Sequence, residues 1–262
     1  VHPSGVLQTT TTSPKSLTVV GAIPARYGSS RLPGKPLLPI AGRPMIQHVV
    51  ERAAQARGLD GVVVLTDDER IARAVEAFGG RCEMTPADCA SGTDRIAWAV
   101  RAGGVLGEAA AVVNIQGDEP LIDPEAVSRI AVHLRENPGD PVVTLAAAAQ
   151  PEEIGNPNAV KVVLNLAGYA LYFSRAGIPY PRREGAAPPL KHLGIYGYQR
   201  AALLRLADLP PTPLERSESL EQLRALENGI ALRVLLVERG SPGVDTREDL
   251  ERVERLLGGT PT

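Results

Sequence analysis

Apolar positions along this chain follow two alternating periods. Short continuous apolar runs read as strands buried on both faces: LTVVGAI at 17–23, GVVVLT at 61–66, AAAVVNI at 109–115 and PVVTLAAA at 141–148. Between them the spacing becomes helical. In MIQHVVERAAQAR, 45–57, residues Ile46, Val49, Val50, Ala53 and Ala54 share one face. The same period runs through 67–80, 93–104 and 123–137. Start and stop signals agree with it: Thr66 and Glu69 have capping-box spacing, Gly79 is a C-terminal stop, and Asp123 precedes Pro124 as an N-cap. Such alternation predicts βαβ units, hence an α/β fold with a mostly parallel sheet flanked by helices. After about residue 150 the pattern changes. AVKVVLN, YALYFS and HLGIYGYQ are β-like runs parted by Asn, Pro and Gly, which predicts a mixed or antiparallel β extension over about 150–215. Helical spacing returns at 200–208 and 214–227, then a strand at 230–237 and a closing helix at 246–257.

Composition narrows the classes. The 262 residues are 44% hydrophobic and 22% charged, enough for one sizeable core. A net charge of −2 gives no basic field for nucleic acid, so none is expected as a partner. Cys82 and Cys89 have neither CxxC spacing nor a nearby histidine, which argues against zinc or a disulfide framework and for a reducing, cytoplasmic setting. Residues 1–16 are rich in Thr and Ser and lack an apolar core segment; they read as a flexible tail rather than a secretory signal, ahead of one domain over 17–262. The longest apolar run, 141–149, is far short of the ~20 residues a membrane helix needs, so the expectation is a soluble protein.

In an open α/β sheet, ligands bind outside the carboxyl ends of the strands, and polar segments follow four of these. The first, IPARYGSSRLPGKP at 23–36, carries Arg26, Arg31 and Lys35 beside Gly28 and Gly34. It is not a Walker A loop, because Ser29 and Pro36 stand where that motif needs a glycine and a hydroxyl. It is either an anion-binding loop or a solvated basic turn. In NIQGDEP, 114–120, Asp118 is a candidate ligand for a hard cation or an ordinary turn residue. In GVDTREDLE, Asp245 is a second such ligand or a helix N-cap paired with Glu248. In SGTDRIA, Ser91 is an N-cap with Asp94 at the third helical position. Arg95 opposes the helix dipole there, a cost that a bound group or solvent would offset. His48 and His133 fall inside helical patterns as structural residues, whereas His192 starts a β-like run. No nucleophile–histidine–acid arrangement and no HExxH occur.

IPARYGSSRLPGKPL, SGTDR, VNIQGDEP, NPNAVKVV, YALYFSR, KHLGIYGY, LEQLR and GVDTREDLE occur in that order from about Leu17 to Leu257. Together they resemble the 3-deoxy-manno-octulosonate (Kdo) cytidylyltransferase family, the CMP-Kdo synthetases. The resemblance implies a nucleotidyltransferase-type fold whose small β extension serves dimerisation, in a cytoplasmic homodimer. It implies Mg²⁺-dependent transfer of CMP from CTP to Kdo, with release of pyrophosphate, for lipopolysaccharide synthesis. A related acidic sugar, 8-amino-Kdo or sialic acid, is the alternative acceptor, and a non-catalytic nucleotide-binding homologue the alternative class. On matching positions it implies that Arg26, Arg31 and Lys35 hold the triphosphate, with Ala25, Ser91, Gly92 and Arg95 around the nucleotide. Asp118 and Asp245 would ligate magnesium. Gln116, Arg175, Arg182, His192, Tyr196, Glu221 and Gln222 would face the sugar acid. Two departures stand out: Tyr180 takes a place where the family commonly has tryptophan, and 183–190 is short and proline-rich.

Overall fold

β1, Val19–Pro24, shows how one strand serves two cores. Val19 and Ile23 point to one face of the sheet and Val20 and Ala22 to the other, all at most 5% exposed. The structure, a computed structural model, describes residues 18–28, 32–183 and 188–258. The predicted tail at 1–16 and residue Arg31 lie outside these. After β1 come the short hairpin β2 (Pro39–Ile40) and β3 (Arg43–Pro44), then α1 (Met45–Ala53), β4 (Gly61–Thr66), α2 (Glu69–Ala77) and β5 (Cys82–Met84). Next are α3 (Gly92–Ala102), β6 (Ala111–Asn114), α4 (Pro124–Glu136), β7 (Val142–Ala148) and α5 (Pro151–Ile154). The extension holds β8 (Lys161–Leu164), β9 (Ala170–Ser174) and β10 (Leu190–Gln199). The chain closes with α6 (Arg200–Asp208), α7 (Pro213–Glu218), α8 (Gln222–Glu227), β11 (Leu232–Leu236) and α9 (Arg247–Leu256).

The main sheet has the order β11-β7-β10-β6-β1-β4-β5. Its pairs β1–β4, β1–β6, β4–β5 and β7–β11 are parallel. Only β10 runs against this direction, inserted between β6 and β7, and it also carries the antiparallel β8–β9 hairpin. The expected mostly parallel α/β sheet with a mixed extension is therefore what forms. Ile46 and Val49 of α1, Ile71 of α2 and Val127 of α4 fill one side, and Ile96 of α3 and Leu203 of α6 the other. Because β1, β6 and β11 share one direction, the loops bearing Lys35, Asp118 and Asp245 emerge at one rim.

Several expected boundaries shift, each for a local reason. Asp68, not Thr66, caps α2 by accepting from the Arg70 amide at 2.9 Å, while Thr66 Oγ1 accepts from the Asp68 amide. Thr246 rather than Asp245 caps α9, so Asp245 is not spent on the helix. The helix expected over 45–57 ends at Ala53, where the amides of Gln55 and Ala56 bond three residues back instead of four. The single helix expected over 214–227 is two, broken at Ser219 with φ 50°.

At the end of the sheet away from that rim, Asp140 gathers four elements. Its carboxylate accepts from Tyr169 Oη at 2.5 Å, His133 Nε2 at 2.6 Å and Arg233 Nε at 3.3 Å. Burial pushes this carboxyl up, but the bonds from Tyr169, His133 and Arg233 outweigh it and hold it below its ordinary value. A depressed folded-state pKa contributes stability above the unfolded value, about 4, and loses it as the pH falls. Asp140→Asn is expected to lower the unfolding free energy by about 2–4 kcal/mol at pH 7, measured by urea denaturation. The gap to the parent should close on acidification below about pH 4.

Candidate active site

Lys35 opens a 3₁₀ turn, Lys35–Leu37, entered through Gly34 at φ 69°. Gly34 meets Tyr27 twice: its amide donates to the Tyr27 carbonyl at 2.9 Å, and a Cβ here would stand 3.0 Å from the Tyr27 ring. The same ring carries the Arg70 guanidinium at 3.4 Å, which Asp68 grips with two oxygens. That side-chain bond from Arg70 holds the Asp68 carboxyl at about 2. The base of the first loop is thus stacked against the start of α2.

From this base the Lys35 ammonium reaches three acceptors: Asp118 Oδ2 at 2.7 Å, the Val244 carbonyl at 2.9 Å and Asp245 Oδ1 at 3.2 Å. Three protons meet three acceptors. Two packing features hold the acceptors in place. Gly117 lets the turn after β6 lie against β1, since a Cβ would fall 2.9 Å from the Pro24 carbonyl. Val244 is fully buried with Ile40, Met45 and Val253, and its amide donates to the Asp118 carbonyl at 2.9 Å. Burial and the charge of Asp118 push the neighbouring Glu119 up to about 8, so at neutral pH it adds little negative charge.

These groups line one cavity of about 420 Å³. Ala25, Arg26, Ser91, Gly92, Arg95, Gln116, Tyr196 and Glu221 lie in its lining together with Lys35, Asp118 and Asp245. Ser91 caps α3 through the Asp94 amide, as expected. Ser91 and Thr93 also donate to the two oxygens of Glu221, at 3.0 and 2.7 Å. Arg95 is 3% exposed; the carboxylate of Asp67 at 2.9 Å, not solvent, offsets its unfavourable place in the first turn, and Thr85 accepts a further bond. The Gln116 amide donates to the Gly194 carbonyl at 2.8 Å, inside an irregularity of β10 between Leu193 and Tyr196.

Asp118 and Asp245 converge on a cation, the Lys35 ammonium. Hard carboxylate oxygens in this arrangement suit a divalent ion that takes its other ligands from water and phosphate. Among the described residues no group of three or more His, Cys, Asp or Glu could hold a metal alone.

Comparison with known proteins fits this geometry. A family model described as cytidylyltransferase matches residues 20–236. The chain belongs to the cytidylyltransferase family. A curated 3-deoxy-manno-octulosonate cytidylyltransferase from Syntrophotalea carbinolica is 50% identical over 93% of this chain and its own full length. An 8-amino-3,8-dideoxy-manno-octulosonate cytidylyltransferase from Shewanella amazonensis is 52% identical, over 90% of this chain and 96% of its own. Among solved structures, a CMP:2-keto-3-deoxy-manno-octonic acid synthetase complexed with CTP superposes with a TM-score of 0.88. It is 50% identical and covers 92% of this chain and 98% of its own. A 4-diphosphocytidyl-2C-methyl-D-erythritol synthase from Anaerococcus prevotii shares the fold, with a TM-score of 0.62 at 12% identity over 93% of this chain and 97% of its own.

Four residues expected at the sugar acid do not line the cavity of this cytidylyltransferase. His192 stands one ring behind it, 5.3 Å from Tyr196 and edge-on to Phe173 at 5.0 Å. Thr144 Oγ1 lies 2.8 Å from the Ile195 carbonyl and 2.9 Å from His192 Nε2. The carbonyl only accepts, so Thr144 donates to it, and the histidine proton belongs on Nε2. Burial lowers His192 to about 3, so the ring is neutral. Gln222 is buried in α8 and Arg182 is exposed on the segment after β9.

Arg175 is held elsewhere by the backbone. Its guanidinium donates to the carbonyls of Glu218, Ser219 and Pro157, two of them at the C-terminal end of α7. A cation there satisfies carbonyls that the helix leaves open and steadies the break that turns Glu221 toward the cavity. Asn114 in NIQGDEP and Asp67 in the polar segment 66–68 after β4 carry no expected role; the structure makes Asp67 the partner of Arg95 and puts Asn114 in the cavity lining. Arg175→Ala is expected to lower stability by about 1–3 kcal/mol, read from the denaturant midpoint. It should change the affinity for cavity ligands far less than Lys35→Ala does, as calorimetry would show.

Proposed function

We propose that this protein transfers CMP from CTP to the anomeric hydroxyl of Kdo, releasing pyrophosphate. The observation that carries the reading is the Lys35–Asp118–Asp245 cluster in a cavity that Arg26, the start of α3, Gln116, Tyr196 and Glu221 also line. Its likeness to the CTP-complexed synthetase supports the nucleotide, and the curated relatives support the sugar acid.

The chain's own residues act by positioning and charge. Arg26 and Lys35 meet the triphosphate and balance the charge of the departing pyrophosphate. Lys35 must give up a present acceptor to do so, because its three protons are all engaged. Asp118 and Asp245 are the residues that would hold Mg²⁺. When bound there, the metal lowers the pKa of the attacking hydroxyl and offsets charge at the α-phosphorus. Tyr196 and Glu221 orient the sugar, and Gln116 fixes the bend of β10 that carries Tyr196. None of this calls for a histidine base.

By the same likeness we propose a cytoplasmic homodimer that supplies lipopolysaccharide synthesis. Among the described residues no helix is long and apolar enough to cross a membrane. Leu166, Leu171 and Tyr180, all strongly exposed on or next to the β8–β9 hairpin, are the proposed dimer contact; a monomeric mass by sedimentation would remove it.

Pyrophosphate release is expected only when CTP, Mg²⁺ and a sugar acid are all present, with Kdo the best acceptor in a panel that includes 8-amino-Kdo and sialic acid. A panel in which another nucleotide or sugar works and CTP with Kdo does not would overturn the assignment. Nucleotide binding by calorimetry without turnover would mark a binding module instead. Asp118→Asn and Asp245→Asn are each expected to cut turnover at least ~100-fold, and near-normal rates in both would refute the metal role.

A further inference from the structure

Asn114 ends β6 on the lining of the cavity, paired in register with Ala22 of β1 on one side and Tyr196 of β10 on the other. Its neighbours in sequence, Val113 and Ile115, are fully buried, and Asn114 itself is 5% exposed. Its side-chain oxygen is buried and has no hydrogen-bond partner among the described residues. Other polar groups around the same cavity are engaged: Gln116 with Gly194, Glu221 with Ser91 and Thr93, Arg95 with Asp67. A buried, unpaired amide is a standing cost to the folded chain. An apolar side chain would fill a strand position in such surroundings without that cost.

We propose that Asn114 is a substrate-binding residue whose amide takes a hydroxyl of the bound substrate, completing a pairing that the protein leaves open. The inference rests on the cytidyl-transfer reading above. An amide both accepts and donates, as a hydroxyl does, so the two match in either sense. The terminal torsion of asparagine is broad, so the amide can turn toward a ligand at little expense. The register puts Asn114 between β1 and β10 in the cavity lining. β1 leads from Ala22 into the loop of Arg26 and Lys35, and β10 supplies Tyr196 opposite. Two hydroxyl sources lie within this chemistry, the ribose of the nucleotide and the sugar acid.

The test uses Asn114→Leu, which keeps the branched shape without polar atoms, and Asn114→Ala, which cannot clash. Wild-type pyrophosphate release from CTP, Mg²⁺ and Kdo is measured alongside, so that failure of the transfer reading shows in the parent and failure of this one only in the variants. The CTP dissociation constant comes from calorimetry without sugar, and the KM for Kdo from the pyrophosphate assay. About a tenfold loss, the size of one hydrogen bond to a buried group, is expected in one of the two. Loss in CTP binding alone assigns the ribose, and loss in the KM for Kdo alone assigns the sugar acid. The ligand-free melting temperature of a folded variant should equal or exceed that of the parent. If both constants stay within twofold of the parent in each variant that folds, Asn114 binds no substrate and the proposal fails.

Discussion

The Lys35 ammonium is the point on which the rim of this protein turns. It joins three chain segments that are otherwise far apart: the turn after the first loop, the turn after β6 and the extended stretch before α9. None of the three is a regular element of the main sheet, so no ladder holds them together. The buried cluster of Ile40, Met45, Val244 and Val253 brings the last segment alongside, and Gly117 removes the side chain that would keep the second apart from β1. The ion pairs then set the register. Two carboxylates this close would repel one another without a cation, so some positive charge between them is a condition of the fold at this rim as well as of its chemistry.

The second constraint is the direction of β10. An all-parallel sheet would send helices across both faces and leave the wall beside β6 to whatever its loops provide. Inserting one antiparallel strand brings Tyr196 directly opposite Asn114 and puts its ring in contact with Tyr198 and with His192, which in turn meets the edge of Phe173. Thr144 on β7 ties the irregular stretch of β10 to its neighbour through two carbonyls and His192. His192 therefore reaches the cavity only through Tyr196. Arg175 works at a similar remove, through α7, on Glu221.

How much of this was legible follows from where the information resides. The strand–helix alternation, the shared rim and the cap at Ser91 depend on local periodicity and on short side-chain–backbone bonds, and a sequence displays both. The break at Ser219 does not show, because the stretch around it keeps helical spacing and its left-handed residue is not glycine. The place of Arg175 was hidden for a different reason. Its partners are backbone carbonyls, which have no letter in the sequence, so a guanidinium engaged in capping reads the same as one awaiting a carboxylate. Asn114 was visible in principle, since a polar residue closing a run of buried valines calls for a partner. Finding that its side-chain oxygen meets no partner among the described residues required the structure.

Among the described residues at this rim, Lys35, Asp118, Asp245, Arg95 and Glu221 all have partners within the chain, which bears on the character of binding. Under the proposed function a nucleotide exchanges partners rather than filling a bare basic patch: Lys35 would trade a carboxylate for a phosphate, and Arg95 is already engaged by Asp67 and Thr85. Exchange of this kind sacrifices raw affinity, because each new charge-assisted bond replaces an old one. It gains geometry, because the donors are held before the substrate comes. For a displacement at phosphorus, where alignment and charge balance matter more than covalent chemistry by the protein, that trade favours the reaction over tight storage of the substrate. Arg26, exposed in the cavity lining, is the residue that would meet the triphosphate under the same reading.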